Sequence, residues 1–143
     1  MSEKRRRIFL ILFICLMAVQ SPALATGQEM VDITGLPGSS ERKAILDALR
    51  SKVMNMHGLE VVFVVKYLKI RNHWAWIRTL PQSPDGANRY EEVSALMRKR
   101  GTIWEVAELA CAEEDNSQCI GSPDYFSHLK KRFPGLPAGI LPE

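Results

Sequence analysis

Leu59-Glu60-Val61-Val62-Phe63-Val64-Val65-Lys66-Tyr67-Leu68-Lys69-Ile70 holds five consecutive β-branched or aromatic residues, Val61 to Val65, with no charge among them. Such a run suits a pleated surface, and its apolar density predicts a central strand buried on both faces. Arg71-Asn72-His73 follows as a tight turn, and Trp74-Ala75-Trp76-Ile77-Arg78-Thr79-Leu80 as a second strand that Pro81 stops. Two strands joined by so short a link must run antiparallel. Trp74 and Trp76, two residues apart, then share one face of the sheet.

Downstream, Pro84-Asp85-Gly86 is a turn, proline setting one φ and glycine permitting a positive one. Glu91 to Arg98 alternates through Val93, Ala95 and Met97. Tyr90, Val93 and Leu96 would also fit one side of a helix, but the hairpin beyond favours a strand. Lys99-Arg100-Gly101-Thr102 is read as the hairpin turn, and Ile103 to Leu109 as the fourth strand, with Trp104 and Val106 opposite Glu105 in the alternation. Ser122 and Pro123 supply the N-cap and first position of a helix whose buried stripe is Phe126, Leu129 and Phe133. Pro134-Gly135 end it, and Leu136 to Glu143 should be extended. Upstream, Ser39 or Ser40 caps a helix with Ile45, Leu49, Val53 and Met56 at helical spacing and Gly58 as its stop. The fold class is therefore α+β: an N-terminal helix, an antiparallel sheet of about four strands with one face covered, and a C-terminal helix. These occupy a single domain, 39–143, behind a flexible leader, 26–38.

Residues 1–25 have the form of a secretory signal peptide. Lys4, Arg5, Arg6 and Arg7 precede twelve uncharged residues, Ile8 to Val19, and Ala23-Leu24-Ala25 offers a cleavage site. Twelve residues of helix reach about 18 Å against a hydrocarbon core of roughly 30 Å, so an uncleaved anchor is the weaker alternative. A lipoprotein reading at Cys15 is poor, because bulky Ile14 precedes it where a small residue is needed. The whole chain carries 19 basic and 16 acidic side chains, and cleavage after Ala25 removes four of the first and one of the second, leaving fifteen of each. A neutral domain gives no reason to expect nucleic acid, and no membrane span remains after cleavage. Cys111 and Cys119 are then the only cysteines, most simply a disulfide closing a polar loop in an oxidising compartment. A redox-active pair would need C-x-x-C spacing, which is absent.

Several of these segments form an ordered series: Arg42-Lys43-Ala44-Ile45-Leu46-Asp47-Ala48-Leu49-Arg50, Val62-Phe63-Val64-Val65 with Leu68-Lys69-Ile70, Trp74-Ala75-Trp76, Pro81-Gln82, Asp85-Gly86, Ser94-Ala95-Leu96-Met97-Arg98-Lys99, and Gly101 with Trp104-Glu105-Val106. The series resembles a family of small exported bacterial proteins of unknown function, and it covers most of the chain beyond the signal. The resemblance brings no activity with it. More loosely, the hairpin around Gly101 and Trp104 is similar to those of cystatin-like and nuclear-transport-factor-like folds. This chain is shorter than their usual cone, which argues against a deep ligand cavity, and fold does not carry function in any case.

A search for chemistry returns little. His57, His73 and His128 are scattered and fit no zinc spacing, so no metal is expected. Glu113-Glu114-Asp115-Asn116 lacks the ligand spacing of a calcium loop and is read as solvated. No nucleophile elbow or phosphate-binding glycine loop occurs, so no cofactor is expected. A possible binding surface remains. Trp74 and Trp76, joined by Trp104, would form either an aromatic platform or, more simply, core; Arg98, Lys99 and Arg100 would touch an anionic polymer or lipid headgroups, or be solvated. Lys130-Lys131-Arg132 meets the C-terminal dipole of its own helix. The leading expectation is a non-catalytic periplasmic or secreted module that binds an envelope protein or cell-wall component through a sheet face or edge. Its rival is a small hydrolase with a site assembled across the sheet from Tyr67, His73, Arg78 and Glu105. A structural envelope protein is a third reading, and oligomeric state is left open.

Overall fold

The structure is a computed structural model that describes residues 28–113, 116 and 118–142. The expected signal peptide, residues 1–25, the start of the expected leader, and Glu114 and Asp115 of the acidic loop lie outside the described residues. In chain order the elements are β1 (Val31–Asp32), α1 (Ser40–His57), β2 (Val62–Arg71), β3 (Trp74–Gln82), β4 (Val93–Arg100), β5 (Ile103–Leu109), α2 (Tyr125–Arg132) and a 3₁₀ turn (Ala138–Ile140). The strands form one antiparallel sheet in the order β1-β2-β3-β4-β5, so the fold is α+β with five strands rather than four.

The fifth strand comes from the leader, which is not loose. Val31 and Asp32 pair with Ile70 and Lys69, the Ile33 amide donates to the Leu68 carbonyl at 3.0 Å, and Ile33 is buried. Two residues are too few to show a period of two, so the strand leaves no pattern in the sequence.

α1 follows its sequence signals closely. The Ser39 hydroxyl accepts from the Arg42 amide at 3.3 Å, and Gly58 ends the helix in the left-handed region at φ 65°. Ile45, Leu49 and Val53 are buried, while Met56 is exposed. Ile45 and Leu49 meet Leu68, Ala75, Ile77, Ala95, Met97 and Trp104.

The opposite face is covered as well, contrary to the one-faced layer expected. Trp74, Trp76 and Leu96 pack beneath Tyr125 and Leu129 of α2 and beneath Leu136, Ile140 and Leu141. The C-terminal stretch therefore turns back as a 3₁₀ turn onto the sheet instead of extending away. The helix starts at Tyr125, after Ser122 and Pro123, and its N-cap position, Asp124, makes no side-chain capping bond. Phe126 and Phe133 are only partly buried, and Tyr125, which the helical stripe omitted, is fully buried.

Because two layers cover the sheet, the strand buried on both faces is β3. Trp74, Ala75, Trp76 and Ile77 are all buried, tryptophans toward α2 and aliphatics toward α1. β2 is not the central, doubly buried strand its composition suggested: Val62 and Val64 are 36% and 40% exposed. The placement of the cover explains this. α2 packs over Trp76, Leu96 and Glu108 of β3, β4 and β5, and the 3₁₀ turn meets β2 at Tyr67, whose hydroxyl donates to the Ile140 carbonyl, so the first residues of β2 stay bare on that face.

Two bulges set the side-chain directions. One lies between Val65 and Tyr67; the other shifts the β4–β5 register between Leu96 and Met97. Past the second, Ala107 packs on the α2 side, and Glu108 accepts from the Tyr125 hydroxyl at 3.0 Å and from Arg132. Burial above all, and then the charge and hydrogen bond of Glu108, push the Tyr125 phenol well above its ordinary value of 10.0. A disulfide joins Cys111 to Cys119, with Cα atoms 4.7 Å apart, and closes a loop that on the chain-entropy model contributes about 2 to 3 kcal/mol.

This burial separates two substitutions that sequence alone would treat alike. Trp76→Ala is expected to cost about 3 to 5 kcal/mol in urea denaturation, whereas Val64→Thr should stay within about 0.5 kcal/mol of the parent. Comparable losses from both would contradict the assignment of β3 as the doubly covered strand.

Candidate functional site

The β2–β3 and β4–β5 turns, the start of α1 and β1 all lie at one end of the sheet, and they surround a cleft of about 410 Å³. Its apolar walls are Val31, Ile33, Ile70 and Trp104; Glu29, Glu41, Arg71 and Lys99 supply charge, and His73 an imidazole. Apolar lining with a few convergent polar groups is the usual composition of a small-ligand site, and the volume lies in the usual range.

Glu41 organises this end. It stands in the first turn of α1, where a carboxylate is favoured by the helix dipole, and it accepts hydrogen bonds from Lys99 Nζ and Trp104 Nε1. α1, β4 and β5 are thus joined through one side chain. The Lys99 ammonium also lies 5.7 Å from the centre of the Trp104 ring, and the Lys99 amide donates to the His73 carbonyl at 2.7 Å. Burial would raise the pKa of Glu41, but the hydrogen bonds from Lys99 and Trp104 and the positive charges of Lys99 and His73 outweigh it. The carboxyl is held below its ordinary 4.5.

The turn that carries His73 is unusual in its second residue. Asn72 has φ 49° and His73 has φ 65°, the two left-handed residues of a two-residue hairpin link between Arg71 and Trp74. Asn tolerates the first position; the second is ordinarily glycine, and an imidazole there costs about 1 kcal/mol of backbone strain.

The residues singled out from sequence divide among three places. Trp74, Trp76 and Trp104 are 7%, 0% and 5% exposed, so no open aromatic platform exists. Trp104 does not join the other two: it faces α1, and they face α2. The basic triplet is likewise divided. Lys99 and Arg100 belong to β4 and not to the turn, which is Gly101-Thr102. Lys99 pairs with Glu41, Arg100 with Glu105, and the Arg98 guanidinium lies 5.0 Å over the Trp74 ring. Tyr67, His73, Arg78 and Glu105 are not brought together. The Tyr67 hydroxyl donates to the Ile140 carbonyl at 2.9 Å, Arg78 Nε lies 3.1 Å from Glu92, and Glu105 is held by Arg100. Of the four, only His73 lines the cleft.

Sequence reasoning missed Glu41, the residue that ties the site together. An acid in a first helical turn is explained locally by the dipole, and its partners lie 58 and 63 positions away. It also missed a wider groove of about 550 Å³ at the other end of the sheet, with aliphatic walls from Val53, Leu59, Val61 and Val93. That groove is larger, but its charged residues, Arg89, Glu91 and Glu92, belong to a single loop-side segment. The smaller cleft, where charges from α1, β2, β4 and the segment before β1 converge, is the better candidate.

No group of three or more His, Cys, Asp or Glu side chains that could hold a metal occurs among the described residues, and none of their helices is long and apolar enough to cross a membrane. Comparison of the chain with protein-family models, curated proteins and solved structures finds no match.

A lowered carboxyl pKa stabilises the fold above the unfolded-state value, and the contribution disappears as pH falls through the folded-state value. The Glu41 side chain is 43% exposed, so solvent screens the pair and the effect is small. Glu41→Gln should therefore be less stable than the parent near neutrality. The difference should shrink as urea melts are taken from about pH 7 to about pH 3; a pH-independent difference would mean the carboxylate charge is not its source.

Proposed function

We propose that this chain is an exported, non-catalytic binding module of the bacterial cell envelope, and that the cleft beside Glu41 receives a carboxylate-bearing segment of an envelope protein or cell-wall component. Export is supported by the basic and apolar pattern of residues 1–25 and by the disulfide. The observation that carries the binding site is His73. Folding alone would favour glycine at its φ of 65°, so an imidazole that adds strain at the mouth of a cleft has its reason in what the side chain meets.

The cleft chemistry narrows the ligand. Glu41 is neutralised by Lys99; the other carboxylate of the lining, Glu29, is exposed, and neither it nor Arg71 forms an ion pair among the described residues. Arg71 and His73 thus offer donors to an anionic group. Val31, Ile70 and the Trp104 ring beside them suit a small apolar substituent next to that group. Nothing in this arrangement pairs a nucleophile with a base, which favours holding a ligand over transforming it.

Alanyl-alanine, which has a free carboxylate beside a methyl group, is a suitable probe. In a titration followed by amide and indole NMR signals, shifts should be confined to Val31, Arg71, His73 and the Trp104 indole, and both Arg71→Gln and His73→Gly should abolish them. His73→Gly should also retain stability within about 1 kcal/mol of the parent or exceed it. Absence of shifts at about 10 mM dipeptide, a concentration that detects even millimolar affinity, or shifts that survive both substitutions, would refute the proposal.

A further inference from the structure

β1 pairs with only two of the ten residues of β2, so among the described residues the outer side of β2 from Val62 to Lys66 has no strand beside it. An open edge is a template for another strand, and proteins usually blunt it. Here the bulge after Val65 and the exposed Lys66 limit the open length without removing it, and the uncovered residues Val62, Phe63, Val64 and Val65 are all apolar.

The sequence of this edge is complementary to itself. If two copies of Glu60-Val61-Val62-Phe63-Val64-Val65-Lys66 run antiparallel about an axis through Phe63, Glu60 of each copy stands opposite Lys66 of the other. Val62 then meets Val64 and Phe63 meets itself; Val61, which stands opposite Val65, precedes β2, is buried, and has its carbonyl held by Arg50 Nε at 3.1 Å, so the ladder itself runs from Val62 to Val64. Glu60 and Lys66 are both exposed, and neither has an ion pair among the described residues. Cross-strand pairs of opposite charge stabilise an antiparallel ladder, and like charges directly opposite destabilise it.

We propose that two copies of this chain associate through the outer edges of β2 in this register, forming a continuous ten-stranded sheet. The half-exposed Val62 and Val64 of both copies close into a four-valine patch on the face that α2 leaves bare. On the other face the two Phe63 rings meet between the Arg50 side chains. Each Arg50 lies 5.9 Å over its own Phe63 and is paired with Asp47 at 2.6 Å, so the approach of two guanidinium groups is compensated. The register is bounded at both ends. β1 occupies the outer side of β2 at Lys69 and Ile70, and on the partner the chain has turned into α1 by Gly58. Sliding by two residues one way sets Lys66 against Val62 and Glu60 against Leu68, and the other way sets Glu60 against Val64 and Lys66 against Gly58, so the charges select one alignment. A two-fold contact of this kind uses the same surface on both copies and closes at the dimer.

Sedimentation equilibrium of the oxidised protein tests the proposal without disturbing the core, because both charges are exposed. The parent should dimerise reversibly. Glu60→Lys and Lys66→Glu alone should each weaken association by about tenfold, since every such dimer contains two like-charge contacts. The double reversal should restore the parental constant, and an equimolar mixture of the two single variants should associate more tightly than either does alone. A parent that stays monomeric up to about 1 mM, the concentration that would detect even millimolar self-affinity, or a dimer indifferent to the single reversals, would overturn the proposal. So would a double reversal as weak as the singles.

Discussion

Four consecutive residues of β3, Trp74 to Ile77, are buried with their side chains alternating between two separate cores. Two tryptophans face α2 and the returning C-terminal segment; an alanine and an isoleucine face α1. The rest of the sheet is arranged by its distance from this strand. β4 lies next to it and is buried almost as completely through Ser94, Ala95, Leu96 and Met97, whereas β2, on the other side, is covered only where α1 or the C-terminal segment reaches it. Large rings on one face and small or aliphatic groups on the other let two unequal helices, of eighteen and eight residues, pack against the same strands.

That asymmetry leaves the charged cleft and the bare edge of β2 at different places. At the turn end, the long helix begins over the sheet and brings Glu41 to Lys99 and Trp104, so charges are held rigidly around a cleft whose walls belong to β1, β2 and β5. Along β2, the short helix stops before Val62 and Val64, and a two-residue β1 covers only the other end of the strand. Both features follow from incomplete coverage of a well-packed centre. They are chemically distinct: one is charged and concave, the other apolar and flat, with one charge of each sign at its ends.

Much of this was legible in the sequence where the signal is local. The caps of α1, Ser39 and Gly58, act within three or four residues, and the alternation in β3, β4 and β5 needs only neighbouring positions. Cys111 and Cys119 were close enough in sequence for their pairing to be plain. What sequence did not reveal depends on pairing over long separations or on the extent of another element. The valines of β2 are as apolar as a doubly buried strand requires, yet burial is decided by where α2 and the 3₁₀ turn come to lie. β1 is too short for periodicity and exists because Ile70 and Lys69 offer it an edge. Lys99 and Arg100 sit beside a glycine turn and read as part of it, while the actual turn is two residues long and leaves both in the ladder. The candidate site was half legible: His73, Lys99 and Trp104 were noticed separately, and only the fold unites them around Glu41.

Native-state hydrogen exchange measured across low concentrations of denaturant bears most directly on the claim that β3, covered on both faces, is the centre of the structure. The amides of Trp74 to Thr79 should exchange only through global unfolding, at the full free energy of unfolding and with its denaturant dependence, while those of β1 and of the outer side of β2 between Val62 and Lys66 open at much lower free energy. Exchange of the β3 amides through local openings, or protection of Val62 to Lys66 equal to theirs in the monomer, would contradict it.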